Sequence, residues 1–242
     1  MISKRIKRVM TVSILFNLFF IIFSIAVVVY KGGIPWVLEK LSITTMKENV
    51  DNHYPYYNDR TSLFDMLDDK NNEIVFLGDS ITDGCEWSEL FNNPNIVNRG
   101  ISKDTTQGVL DRIDQIISDH PKKIFIMIGI NDLCLNIASK TIINNYNQIL
   151  KKINEESKDT EIYLQSILPL DKYGKIVGSN DITDINGKLK EFSEEYKNCY
   201  YIDLYSKFAN GNLMGSQYTN DGLHLNGNGY LLWKSCVEKY LK

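Results

Sequence analysis

From Ile74 onward the chain alternates short, uninterrupted apolar runs with longer segments whose apolar residues recur at helical spacing, and no other feature constrains the fold as strongly. Ile74 to Leu77, Asn95 to Asn98, Lys123 to Ile128, Glu161 to Ser166 and Tyr200 to Leu204 read as strands. Between them, Thr105 to Asp119 carries Val109, Leu110, Ile113, Ile116 and Ile117 on one helical face, and Pro121 closes it. Lys140 to Lys158 is striped by Ile142, Ile143, Tyr146, Ile149, Leu150 and Ile153. Helices over Thr183 to Tyr196 and Asn228 to Leu241, with a Gly/Asn-rich loop up to Asn220, complete the series. A shorter helix is predicted over Thr61 to Leu67, with Ser62 as its cap. Strands without polar alternation must be covered on both faces, and a helix after each strand is the connection that parallel pairing requires. The fold class is therefore α/β, with a parallel sheet of about five strands. In such sheets ligands bind beyond the carboxyl ends of the strands, so chemistry is to be sought there.

The amino-terminal part has a different character. Lys4, Arg5, Lys7 and Arg8 precede an uncharged run from Val9 to Tyr30, about 22 residues, which as helix would reach roughly 33 Å against a hydrocarbon core of about 30 Å. Bulky residues at Val27, Val28, Val29 and Tyr30 offer no small-residue cleavage site, so the expectation is an uncleaved transmembrane anchor. With the basic residues before the span and only Lys31 just after it, the amino terminus is expected in the cytoplasm and the remainder outside. The predicted organisation is a basic tail over 1–8, an anchor over 9–30, a juxtamembrane stalk over 31–58 and a globular α/β domain over 59–242. A formal net charge of -3 with interspersed charges announces no basic surface, which sets nucleic acid aside. Cys85, Cys134, Cys199 and Cys236 form no C-x-x-C pair; two disulfides are permitted outside the cell, and four mostly buried thiols are the simpler expectation.

The predicted strand ends hold the chemistry. The first is followed by Gly78-Asp79-Ser80, the second by Arg99-Gly100-Ile101-Ser102, the third by Gly129-Ile130-Asn131-Asp132, and the last by Asp221-Gly222-Leu223-His224. A serine hydroxyl needs a neutral imidazole to take its proton, and a carboxylate to fix that ring's tautomer. His224 is the candidate base, because His53 falls in the expected stalk and His120 sits at a helix end before Pro121. Asp221, three residues earlier in a glycine-containing loop, is the candidate orienting acid. Oxyanion donors are expected from the Ser80 amide, the Gly100 amide and the Asn131 side chain.

These four ordered stretches resemble the blocks of the SGNH, or GDSL-type, hydrolase superfamily over about Ile74 to Leu241. In texture they are similar to sialate O-acetylesterases and platelet-activating-factor-acetylhydrolase-like esterases, through Ile74 to Thr82, Trp87, Asn98 to Ser102 and Leu223 to Tyr230. The resemblance implies a flavodoxin-like three-layer α/β/α sandwich, Ser80 as nucleophile, His224 as base, Asp221 as orienting acid, and no metal or organic cofactor. It also implies removal of short acyl groups, often acetyl, from sugars. Two departures stand out: Ile81 replaces leucine, and Lys103 stands where relatives carry glycine. Lysine resists positive φ and places a cation near the substrate. Trp87 is expected either to line the acyl or sugar site or to pack as a helix aromatic.

The sequence thus predicts a membrane-anchored, outward-facing serine esterase acting on O-acylated carbohydrate or another small ester. A surface-polysaccharide O-acetyltransferase and a lipid esterase use the same triad and remain alternatives. A non-enzymatic binding module would lack a triad member, and none is missing.

Overall fold

A computed structural model of the chain describes residues 13, 15–23, 26–27, 30, 54–67, 73–170 and 179–241. The chain divides into two units, Met1–Val50 and Asp51–Lys242. In the first, the described residues are helical, and Leu15, Phe16, Leu18, Phe19, Phe20, Ile21, Ile22 and Phe23 are all exposed. Among the described residues no helix is long and apolar enough to cross a membrane. The expected transmembrane anchor therefore finds no support there; residues 9–12, 14, 24, 25, 28 and 29 of that span lie outside the described residues. So do the tail 1–8, most of the stalk 31–58, including His53, and the loop over 171–178.

The second unit is built on five strands, β1 (Ile74–Gly78), β2 (Ile96–Gly100), β3 (Lys123–Met127), β4 (Glu161–Gln165) and β5 (Cys199–Ile202). They pair in parallel in the order β2-β1-β3-β4-β5. This is the doubly wound arrangement expected from continuous apolar strands. The chain leaves β1 toward one edge for β2, then crosses back past β1 to β3, so the carboxyl ends of these strands flank a topological switch point.

Strand alternation divides the core in two. Val75, Leu77, Ile124, Ile126, Ile162 and Leu164 face a layer formed by α4 (Thr106–Ile117), α6 (Ser139–Glu156) and α7 (Ser179–Glu195). Ile142, Tyr146, Ile149 and Ile153, one stripe of α6, are fully buried against it. On the other face, the register places Phe76 beside Phe125, Phe125 beside Tyr163 and Tyr163 beside Tyr200. Their rings stack in a row with centroids 4.8, 4.5 and 5.2 Å apart. Helices α3 (Trp87–Phe91), α8 (Tyr205–Phe208) and α9 (Gly227–Val237) lie on this face and contribute Trp87, Phe208 and Trp233 to its core.

The first helix and the Gly/Asn-rich loop depart from the expectations, and the cysteines do not. The helix predicted from Thr61 begins earlier, as α1 (Pro55–Met66), inside the expected stalk, because Pro55 occupies the first turn where its missing N–H is harmless. Tyr57 and Phe64 anchor α1 by burying against Ile101. Ser62 does not cap it; its hydroxyl donates to the Asp59 carbonyl at 2.9 Å. The Gly/Asn-rich loop contains a small hairpin, β6 (Ala209–Asn210) with β7 (Leu213–Met214), turned at Gly211 with φ 65°. The four cysteines are free thiols, two of them buried and two half-buried, and burial pushes Cys85 and Cys199 up to about 12.

Candidate active site

Ser80 opens the short helix α2 (Ser80–Asp83) directly after β1, and Asp79 caps it by accepting the Ile81 amide at 3.0 Å. The serine can be placed here because Gly78 has no side chain. A Cβ at Gly78 would lie 2.3 Å from both the Met127 carbonyl oxygen and Thr82 Oγ1. Tyr230 on α9 steadies the same helix, its hydroxyl donating to the Ile81 carbonyl at 2.9 Å.

The loop before α9 delivers the other two groups. Ser80 Oγ lies 3.0 Å from His224 Nε2, and His224 Nδ1 lies 2.7 Å from Asp221 Oδ2. Asp221 Oδ1 accepts the amides of Leu223 at 2.9 Å and His224 at 2.8 Å, which fixes the carboxylate in the plane the ring needs. Gly222, with φ 87°, makes the turn between them, and Thr219 holds its amide at 2.9 Å. Partial burial pushes the Asp221 carboxyl up. Its bonds from the His224 ring and the two amides outweigh that and hold it well below the usual carboxylate range. Asp221 thus stays ionised, keeps the proton on Nδ1 and leaves Nε2 free to accept from the Ser80 hydroxyl. His224 and Asp221 are about half exposed, with side-chain accessibilities of 47% and 51%, so the site opens to solvent.

The expected oxyanion donors are placed unequally. The Ser80 amide, at the first position of α2, donates to no other described residue. Asn131 lies on α5 (Ile130–Cys134), and its Nδ2 donates one hydrogen to the Asp104 carbonyl at 2.9 Å, leaving the second. Gly100 is different: its amide donates to Asn98 Oδ1 at 2.8 Å, a bond that an oxyanion would have to share or replace. Glycine is needed there for packing, because a Cβ would meet the Asp83 amide nitrogen at 2.2 Å. The turn that follows is closed by the Asp104 amide on the Ile101 carbonyl at 3.0 Å. Lys103 has φ 67°, and neither its amide nor that of Ser102 donates to another described residue.

Trp87, one of the two expected substrate contacts, is corrected to core. It is 1% exposed, stacks on Phe76 with centroids 4.1 Å apart and donates its indole N–H to the Thr82 carbonyl at 2.9 Å. Lys103, the other, is exposed. Asn98 is a supporting residue that the sequence did not single out. Its Nδ2 lies 2.9 to 3.0 Å from the carbonyls of Thr82, Asp83 and Cys85, so it ties the end of α2 to β2. Between the neighbours of Ser80, Asp79 and Ile81, and the strand ends is a recess of about 10 Å³, room for roughly one water molecule. It is lined by Ile81, Met127, Ile130, Ile167, Leu168 and the buried Asp79, among others.

A serine, an imidazole and a carboxylate linked in this order at the switch point of a parallel sheet define a fold and site suited to nucleophilic acyl transfer. The sequence model of the GDSL-like lipase/acylhydrolase family matches residues 76–232, and the chain belongs to that family. It is a serine ester hydrolase of the SGNH type. The chain is 29% identical over 194 residues to the N-acylneuraminate cytidylyltransferase of Escherichia coli O18:K1:H7, a match spanning 76% of this chain but only 43% of that protein. It is 26% identical over 173 residues to the alpha1 subunit of bovine platelet-activating factor acetylhydrolase IB, spanning 67% of this chain and 72% of the relative. A structure described as a platelet activating factor from Streptococcus pneumoniae superposes with a TM-score of 0.71 at 27% identity, over 77% of this chain and 93% of its own.

Proposed function

We propose that this chain removes short acyl groups, chiefly acetyl, from carbohydrate, with Ser80 as nucleophile, His224 as general base and Asp221 as the group that orients the ring and balances its charge. The observation that carries the reading is the unbroken relay from Ser80 Oγ to His224 Nε2 at 3.0 Å and from His224 Nδ1 to Asp221 Oδ2 at 2.7 Å. Ser80 Oγ attacks the acyl carbonyl as its proton passes to His224 Nε2. The tetrahedral oxygen is met by the Ser80 amide, the free Asn131 hydrogen and the amides of the Ser102–Lys103 turn, each donor worth roughly a hundredfold or more. Collapse expels the alcohol with the His224 proton, leaving acyl-Ser80. Water, deprotonated by the same imidazole, attacks the acyl carbon, and its collapse returns the proton to Ser80 and releases the acid.

Two features support short acyl groups and a large alcohol: the recess lined by the neighbours of Ser80 is small, while the triad is open on its solvent side. A relative named as an acetylhydrolase and another named for an acylated sugar acid support the acetyl-sugar class. Lys103 supplies a cation next to the turn that faces the substrate, suited to an acidic sugar. The uncharged run over 9–30, with its flanking basic residues, supports tethering at a cell membrane with the catalytic domain outside.

The test is release of acid by the purified protein from O-acetylated neutral and acidic sugars and from aryl esters of increasing chain length. Acetate release that falls steeply beyond about three acyl carbons is expected. A preference for long acyl chains would replace this reading with a lipid esterase, and transfer of acetyl to an added sugar in place of water would replace it with an acetyltransferase. Protease treatment of intact cells should digest the catalytic domain; full protection contradicts the outward placement.

A further inference from the structure

We propose that Arg112 is a positioning residue for the acyl-transfer step, its guanidinium locking the Gly100-to-Asp104 turn to the carboxyl ends of β1, which leads into Ser80, and β2. The inference rests on Ser80 being the nucleophile.

The arrangement is built from distant parts of the chain. Arg112 lies on α4 with its side chain 3% exposed, and Asp104 beside it is fully buried. Nε and Nη2 of Arg112 both donate to Asp104 Oδ2, at 3.0 and 2.8 Å. Nη2 also reaches the Arg99 carbonyl at 2.9 Å and the Gly78 carbonyl at 3.4 Å. Gly78 is the last residue of β1, two before Ser80, and Arg99 lies at the end of β2, just before the Gly100-to-Asp104 turn. The turn is closed by the Asp104 amide on the Ile101 carbonyl, and the Ile101 amide returns to the Gly78 carbonyl, both at 3.0 Å. Asp104 then accepts Asn131 Nδ2 on its own carbonyl at 2.9 Å. One guanidinium therefore connects the strand that leads into Ser80, the turn bearing the Ser102 and Lys103 amides, and the Asn131 amide.

Stability alone is a poor explanation for this ion. A buried pair gains little over well-packed apolar side chains, because desolvation offsets its attraction. Burial is severe enough here to push Asp104 up to about 6 even with Arg112 against it. Among the described residues Arg112 Nη1 has no hydrogen-bond partner, a further penalty that an optimised structural ion pair would avoid. What the pair supplies is geometry: a planar fork spanning three acceptors, which a lysine cannot span. A displacement of about 1 Å between nucleophile and oxyanion donors is enough to slow such a reaction roughly a hundredfold.

The experiment compares wild type, Arg112→Lys and Asp104→Asn in turnover of an aryl acetate, in the rate of Ser80 phosphonylation by a fluorophosphonate, and in thermal midpoint. Both variants should lose about 10- to 100-fold in kcat with KM within about twofold, and phosphonylation should slow in parallel, since it builds the same negative oxygen. Arg112→Ala should regain part of its lost kcat when guanidinium is added at concentrations too low to unfold the protein. A lowered midpoint with kcat per folded molecule unchanged in Arg112→Lys and Asp104→Asn would show the pair to be structural only and overturns the proposal. If Arg112→Ala does not fold, the other two variants still decide. A wild-type protein that neither turns over the ester nor takes the label at Ser80 overturns the esterase reading and this proposal with it; an active wild type with equally active variants overturns the positioning role alone.

Discussion

Asp79 is 1% exposed, directly precedes Ser80 and lines the apolar recess, so replacing it with asparagine tests the electrostatics beneath the site. Burial pushes its carboxyl up to about 7; the Ile81 amide pulls the other way, and the nearby Asp104 and Asp132 add to the rise. In the unfolded chain the same group titrates near 3.9. Between those values the folded protein holds a proton that the unfolded chain has released. The stability this group contributes is therefore complete below about pH 4, declines as pH rises and is gone above about 7. A separation of about three units corresponds to roughly 4 kcal/mol, on the order of 10 °C in melting temperature for a domain of this size. The Asp79→Asn variant would keep the acceptor for the Ile81 amide but not the titration. Its extra buried N–H imposes a pH-independent penalty of about 1–3 kcal/mol, so the slopes, not the absolute values, are compared. Thermal unfolding of both proteins from pH 4 to 8 should show wild type losing stability relative to Asp79→Asn up to about pH 7 and running parallel above it. Curves that stay parallel across the whole range would refute the buried-carboxyl reasoning.

Gly100→Ala places a methyl against the Asp83 backbone at 2.2 Å, so it should destabilise the fold by about 1–3 kcal/mol in urea unfolding and lower kcat by displacing the helix that carries Ser80. Unchanged stability would show that β2 and α2 are less tightly apposed than described. Lys103→Gly should raise stability by about 0.5–1 kcal/mol, because φ 67° is strained for lysine and free for glycine; a fall in the urea midpoint contradicts it. Lys103→Gln should raise KM for an acidic sugar acetate and leave that for a neutral aryl acetate unchanged, and equal effects on both would remove Lys103 from substrate recognition.

The sheet could be read from the chain because each strand is a continuous apolar run and each covering helix carries its stripe, as Ile142 to Ile153 shows. The contact of Ser80 with His224 and Asp221 is legible for a related reason: each lies in a short block immediately after a predicted strand or before the last helix, where local spacing determines position. What sequence could not supply depends on contacts between distant segments. Gly100 looked like an amide donor; only the approach of Asp83 and the Asn98 side chain shows why glycine stands there. Trp87 carries no local sign of whether it faces solvent or Phe76. Asn98 and Arg112 act on carbonyls across the fold, 13 to 16 and 13 to 34 residues away, a relation no periodicity reveals. Pro55 was a usable signal for the start of α1, masked by the polar and aromatic cluster around it.

The rate of acetate release from an aryl acetate by Ser80→Ala tests the nucleophile role of Ser80 most directly. The substitution removes one oxygen from an otherwise intact helix start, so the protein should fold with an unchanged melting profile. Its kcat should fall by at least about a thousandfold, to the level the oxyanion donors and binding alone sustain. A folded Ser80→Ala protein that turns over the ester at the wild-type rate would contradict the account.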